Sequence, residues 1–520
     1  MVETMPEQVL KSLKEKIQPE WVLAFFSAVM IGFLAHAYVF LHRLPNHDGI
    51  INIYNTQAKV KSGRFFLGPA SGMSSFFDLP WVIGVLSILF LGLAAVCIII
   101  LFDVRKKLAI VLISGIIVVF PSVSATFAYM FTADGYMLGI FFAILAVVLT
   151  KKYKFGFLIG AILLCLSVGI YQANLSVALV FITLWIIHEI LFSTFSTKGI
   201  GLHILRSGLA VGIGMVLYLA IFNFFTKFLN VQITSYQGLD KVGAVTIHDI
   251  PKRLVQIKEE LLSFFFDSFY NHHDISLLPI LNVFIFITLI AAVFTVIVKK
   301  HLYKNLLHMI LFIVLVMSLP FSYYIVYFIS PVAFYHTLMV FSLSSVYIFL
   351  VLLYDAVEEK RPLWVEKVSS WATVLLMSVA IFNFAIIANI SYFNMELRHE
   401  KTMNLTNRIL DRIEQLDEYE DIKKMTVFGK VPMHSELTSE IIPNRIPHMI
   451  GTTGEVFLSE PYHYTALFDS FFGYSLDIAT EEERKAIQQS REFKEMGVWP
   501  AKDSIKVFDD IVVVKFEDIE

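Results

Sequence analysis

"LHRLPNHDGIINIYNTQAKVKSGRFF", Leu41–Phe66, is the stretch on which the reading of this chain turns. It follows an apolar run at 21–41, and about 20 such residues are enough to cross a bilayer. A short polar loop would suffice to turn the chain round. This segment instead carries His47, Asp48, Lys59, Lys61 and Arg64. What those side chains can do depends on the side of the membrane they face.

Working outward from it, further apolar runs lie near 79–102, 108–125, 135–150, 155–170, 173–192, 205–228, 276–298, 306–328, 331–354 and 367–390. Only 16% of the 520 residues are charged and 57% are hydrophobic, with a mean hydropathy of +0.70. Soluble domains carry about a quarter charged residues. The pattern predicts a polytopic α-helical membrane protein of about eleven transmembrane helices. The shortest fall on either side of Tyr171, where a turn divides one apolar stretch in two.

Basic residues cluster in alternate connections: 105–107, 151–154, Lys198 with Arg206, 299–304 and 358–361. Short loops rich in Lys and Arg stay on the cytoplasmic side. Residues 1–20, with Lys11, Lys14 and Lys16, are then expected as a cytoplasmic amphipathic helix, followed by an anchor too long for a signal-peptide core. The loops 42–78, 126–134, 171–172, 229–275 and 329–330, and the tail 391–520, fall outside. That tail holds 25 Asp and Glu against 15 Lys and Arg, a net of −10, while residues 1–390 hold 19 against 26, a net of +7. An acidic part outside and a basic part within the membrane fit two compartments.

The domain plan is therefore 1–20, a membrane domain 21–390, and a small extracytoplasmic α+β domain 391–520. Within the tail, 392–418 has helical periodicity, "KMTVFGK" reads as a strand, and "EEERKAIQQSREFKEMG" reads as one exposed helix ended by Gly497. "SIKVFDDIVVVKF" reads as two strands about an Asp509–Asp510 turn. Cys97 and Cys165 sit inside apolar runs, where a disulfide framework or metal site cannot be built from them. No Walker loop or Rossmann glycine pattern occurs, and nothing points to nucleic acid. An enzyme working outside the cytoplasm has no ATP or nucleotide sugar, so a lipid-linked phosphate is the natural activated donor.

In the opening stretch, Ile50, Ile51, Ile53, Tyr54, Ala58 and Val60 set against Asn52, Asn55, Gln57, Lys59 and Lys61 suggest an amphipathic helix along the interface, at imperfect spacing. Asp48 reads two ways: as a helix N-cap, or as a general base above the acyl chains with cations near a lipid phosphate. Arg64 reads as a phosphate partner or as a solvated anchor, and His47 as an accessory group or a surface residue. Asp78 and Asp134 each begin an expected helix, so an N-cap role stands beside a converging site at the height of Asp48. Tyr136 follows in the same motif as Asp134. Tyr171, Gln172 and Asn174 at an outer turn either satisfy backbone groups or hold a sugar. Tyr335 and His336 lie near the outer end of the tenth span. "NHHD" at 271–274 has metal-site composition without zinc spacing. The span interiors are nearly bare of ionisable residues, which argues against a transport path.

The ordered set "HDG", "SGRFF", "FFDLPWVIGVLS", "FPSVSATFAYMFTADGYMLG", "GIYQAN" and "MGVWPAKDSIKVFDDIVVVKF" resembles the bacterial glucosyltransferase II family, the phage serotype-conversion (O-antigen) glucosyltransferases, within the type-C glycosyltransferase fold. The resemblance covers most of the chain. It implies a multi-pass enzyme of the bacterial inner membrane, with its active site outward, that moves glucose from undecaprenyl-phosphate-glucose to a surface polysaccharide without a metal cofactor. It also implies a functional link to a lipid-phosphate glucosyl synthase and a flippase. The base of such enzymes, an acidic residue of the first outer loop, falls on Asp48. A polysaccharide polymerase or ligase using a lipid-diphosphate donor, and a lipid-sugar flippase, are the competing readings.

Overall fold

The computed structural model describes residues 5–192, 197–235, 241, 243–266, 277–358, 360, 362–431, 458 and 460–518. A short helix, α1 (Pro6–Lys16), precedes α2 (Pro19–Leu41). Then come α3 (Pro80–Phe102), α4 (Lys107–Val119), α5 (Pro121–Phe127), α6 (Ala133–Lys152), α7 (Gly156–Ile170) and α8 (Asn174–Phe192). After these follow α9 (Thr197–Phe228), α10 (Ile250–Phe266), α11 (Leu278–Lys299), α12 (Leu306–Tyr323), α13 (Ser344–Asp355) and α14 (Trp364–Glu414). Proline opens α1, α2, α3 and α5, where its missing N–H costs nothing and its fixed φ suits the first turn.

Among the described residues nine helical segments are long and apolar enough to cross a membrane, with α4 and α5 counted as one. Two shorter apolar helices, Gly156–Ile170 and Phe341–Asp355, complete the bundle. Each overlaps an expected run, but the runs expected at 306–328 and 331–354 are cut short. The helices are Leu306–Tyr323 and Phe341–Asp355, and 331–340, with Tyr335 and His336, is turns and irregular chain rather than part of a span. Most residues of Lys107–Phe127 and of Asn174–Phe192 are buried, so these form the centre. The helices α9, α11 and α12 are mostly exposed and present apolar side chains such as Phe224, Phe294 and Met317 outward. Lipid would cover such a surface; water would not.

The connections gather at two ends. At one end the backbone amides of Arg105 and Lys106 donate to the Asp355 carboxylate, and Lys106 Nζ also donates to the carbonyls of Tyr354 and Val357. Lys151 bridges Glu189 at 2.8 Å, and Lys299 bridges Glu366 at 2.7 Å. These are the basic connections. At the other end the 42–78 loop meets the Tyr171 turn, the 326–340 segment and the tail.

Helix α14 runs unbroken through 390/391. Its 51 residues, at 1.5 Å each, extend about 76 Å, more than twice a 30 Å hydrocarbon core. The membrane helix and the first helix of the tail are thus one element. The tail adds β1 (Lys424–Phe428), β2 (Asp477–Ile478), β3 (Ile505–Phe508) and β4 (Ile511–Lys515) in the order β2-β1-β4-β3, with β3 and β4 antiparallel and the other pairs parallel.

Two local expectations fail. The stretch after Asp48 is not an amphipathic helix: it forms one helical turn, His47–Ile50, and then irregular chain. Asn and Gln side chains take the backbone's place. Asn52 Nδ2 donates to the Asp48 carbonyl (2.8 Å), Asn55 Oδ1 accepts the Gln57 amide (2.9 Å), and Gln57 adopts φ +52°. In the tail, the expected single helix is broken at Ser490, whose hydroxyl accepts the Phe493 amide, giving Glu481–Gln489 and Arg491–Glu495. The 271–274 histidine cluster lies outside the described residues.

Candidate active site

At the end away from the basic connections, the first loop, the residues flanking α5 and α6, the Tyr171 turn, the 336–338 segment and the tail enclose a cavity of about 780 Å³. Asp48 lines it. Asn46 fixes the turn that carries it: its Oδ1 accepts the Gly49 amide (2.8 Å) and its Nδ2 donates to the Ala128 carbonyl (2.7 Å). Asn52, itself accepting from Gln57 Nε2 (3.1 Å), holds the Asp48 carbonyl. The backbone is tied on both sides while the carboxylate stays 42% exposed, 3.5 Å from His47 Nε2. Asp48 does not cap the turn; Asn46 does.

Arg64 is built into an aromatic frame. Its Nη1 donates to Tyr136 Oη at 2.9 Å, and its guanidinium carbon stands 4.8 Å from the Tyr171 ring centre. The two tyrosine rings stack, 4.6 Å apart and 6° from parallel. The loop behind Arg64 is pinned where Gly169 accepts the Phe66 amide (2.9 Å), where Gln172 Nε2 donates to Ser62 (2.7 Å), and where Tyr218 Oη donates to Gly63 (3.1 Å). Lys59 and His336 share the cavity. Burial lowers the pKa of Lys59, helped by the Lys61 charge; burial and then the Arg64 cation lower that of His336.

A second, apolar cavity of about 290 Å³ adjoins the first and shares Arg64 and Tyr171 with it. Val168, Leu175, Met215, Leu219, Ile329 and Met339 line it. A polar chamber and an apolar slot thus share a wall at one arginine, the arrangement needed by a ligand with a polar head, an anionic joint and a greasy tail.

The other sequence-derived residues divide. His47, Tyr136, Tyr171 and His336 line the polar cavity, and Gln172 lines the slot. Asp134 is fully buried, its Oδ1 accepting the Gly135 amide (2.7 Å), and it lines neither space. Asp78 faces a small separate recess beside His42, Pro45 and Met130, with no hydrogen bond to its Oδ1. Burial pushes its carboxyl up to about 6, against the pull of Arg43. Neither carboxylate is an N-cap; Leu79 and Thr132 hold those positions. Asn174 donates to the Ser167 carbonyl (3.1 Å), and Tyr335 Oη accepts the Val326 amide (3.1 Å), so both hold backbone. Lys61 does not line the cavity. Among the described residues no three His, Cys, Asp or Glu side chains converge as a metal site requires.

Residues the sequence reading did not select also line the cavity: Gln57, Tyr129, Arg398, Glu460, Tyr462 and His463. Tyr129 sits within a quoted motif, and "EPYHY" at 460–464 is an aromatic-polar cluster that composition alone could have flagged.

No curated protein and no solved structure matches the chain significantly. The family profile described as "Glucosyl transferase GtrII" matches residues 37–355, from within α2 to the end of α13, which includes the loop bearing Asp48 and Arg64. The chain, a helical protein with several membrane-length apolar helices, therefore belongs to the GtrII glucosyltransferase family.

Proposed function

We propose that this glucosyltransferase takes glucose from undecaprenyl-phosphate-glucose and adds it, with inversion, to a surface polysaccharide outside the bacterial cytoplasmic membrane. The observation that carries the reading is Arg64 in the wall common to the polar chamber and the apolar slot. The slot takes the start of the isoprenoid, Arg64 takes the phosphate, with Lys59 and His336 nearby, and the sugar projects toward Asp48. Asp48 accepts the proton of the acceptor hydroxyl, whose oxygen attacks the anomeric carbon. The bond from that carbon to the phosphate oxygen breaks, and its electron pair leaves on undecaprenyl phosphate. Such a leaving group needs no carboxylic acid to protonate it, unlike the alkoxide of glycoside hydrolysis.

In this reading the chain crosses eleven times with the basic connections inside, the side the positive-inside rule favours for them, and the cavity end faces outward. A type-C glycosyltransferase architecture and dependence on an upstream lipid-phosphate glucosyl synthase and a flippase belong to the same reading. The sugar needs no metal where a guanidinium holds the phosphate. Asp78 and Asp134 act on structure here, not on substrate.

The test is turnover by the purified full chain in nanodiscs, given glucose on undecaprenyl phosphate or an oligosaccharide on undecaprenyl diphosphate. Transfer from the monophosphate donor alone supports the proposal. Transfer from the diphosphate donor alone would mark a polymerase or ligase, and movement of lipid-sugar across vesicles without transfer would mark a flippase.

A further inference from the structure

The tail is part of the cavity. Ile50, two residues after Asp48, is 2% exposed and belongs to the hydrophobic core of the tail, with Leu405, Ile409, Tyr464 and Leu467. The short helix Pro461–Leu467 packs on the turn His47–Ile50. Glu460 and Tyr462, at the start of that helix, line the polar cavity and not the apolar slot. Tyr462 keeps 42% of its surface exposed, although a ring of this size is normally buried when it serves packing. His463 is fixed beneath it: its Nδ1 accepts the Glu460 amide at 3.2 Å, and its ring lies 4.2 Å from the Tyr462 ring and 5.7 Å from that of His47. Asp48 lines the same cavity as Lys59 and Arg64 on one side and Glu460 and Tyr462 on the other.

Resting on the donor reading above, we infer that the Glu460–Tyr462 edge of the tail is the acceptor subsite, taking a hexose unit of a neutral glycan. The Tyr462 ring offers a face to the C–H side of the pyranose, and the Glu460 carboxylate accepts its hydroxyl hydrogens. The attacking hydroxyl is thereby set against Asp48, while the donor occupies the Arg64 side. The family match ends at residue 355, so this wall lies outside the matched segment.

The experiment measures binding of surface polysaccharide, extracted from the source cells, to the full chain in nanodiscs without donor. Tyr462→Ala should weaken binding tenfold or more, Tyr462→Phe should stay within threefold of the original, and Glu460→Gln should weaken it severalfold. Arg64→Ala should leave it within twofold, which a collapsed cavity would not. Binding that survives Tyr462→Ala within twofold, or no binding by the unaltered protein, overturns the inference. A wrong donor would show separately, as no turnover of the monophosphate lipid while polysaccharide binding still depends on Tyr462.

Discussion

Replacing Arg64 with Lys keeps the positive charge and removes the planar fork. In the structure the guanidinium donates to Tyr136 Oη and lies 4.8 Å from the Tyr171 ring centre, in the wall common to the two cavities. An ammonium cannot stack in that frame and meets phosphate as a point charge. Losing one charge-assisted hydrogen bond costs about 1.5–3 kcal/mol. Losing a partly desolvated cation–π contact costs about 0.5–1 kcal/mol more. Together these give about 2–4 kcal/mol, or roughly 30- to 1000-fold in kcat/KM for the donor at 1.4 kcal/mol per decade. The assay is initial-rate kinetics with lipid-monophosphate glucose, varying donor at saturating polysaccharide and then the reverse. The loss should fall on donor kcat/KM and leave the acceptor KM within about twofold. An Arg64→Lys enzyme within threefold of the original for the donor would refute a phosphate at this guanidinium.

Three further outcomes follow from the same geometry. Asp78→Asn should stabilise the protein at neutral pH: the carboxyl is raised from 3.8 to about 6, so its favourable share is present below about pH 4 and lost as pH rises through 6, a cost of up to about 3 kcal/mol above that. Melting against pH should show the variant ahead at pH 7.5 and level with the original near pH 4; a gap independent of pH would contradict this. Ile50→Ala empties a buried site in the tail core and should cost about 2–5 kcal/mol of docking, seen as faster proteolysis of the tail and a lower kcat. Gly169→Ala places a methyl 2.6 Å from Phe65 Cζ, so the ring next to Arg64 must shift at about 1–3 kcal/mol; the donor KM should rise, and Phe65→Leu should recover part of it.

The spans were legible because a membrane-length apolar run has few alternative fates, and the basic connections lie together at one end as the charge pattern required. The irregular course after Ile50 was not legible. Apolar and polar residues alternate there loosely enough to mimic a helix, and the local side-chain hydrogen bonds of Asn52, Asn55 and Gln57 appear only in three dimensions. Of the cavity lining, Asp48, Arg64, Tyr136, Tyr171 and His336 could be chosen because polar groups at the turns of an apolar chain are few. Asp78 and Asp134 looked equivalent to Asp48 by position, but height along a bundle says nothing about azimuth, and both point into protein. Glu460 and Tyr462 were out of reach because they join the cavity from more than 400 residues away, through a helix that runs from membrane to tail without a break.

The most direct measurement concerns Asp48→Asn, which keeps the shape of the side chain and abolishes its basicity. With both substrates saturating, sugar transfer by the properly inserted variant should fall by about 10²–10⁴, the usual contribution of a general base, while donor and polysaccharide still bind. Transfer at the unaltered rate would contradict the account at its centre.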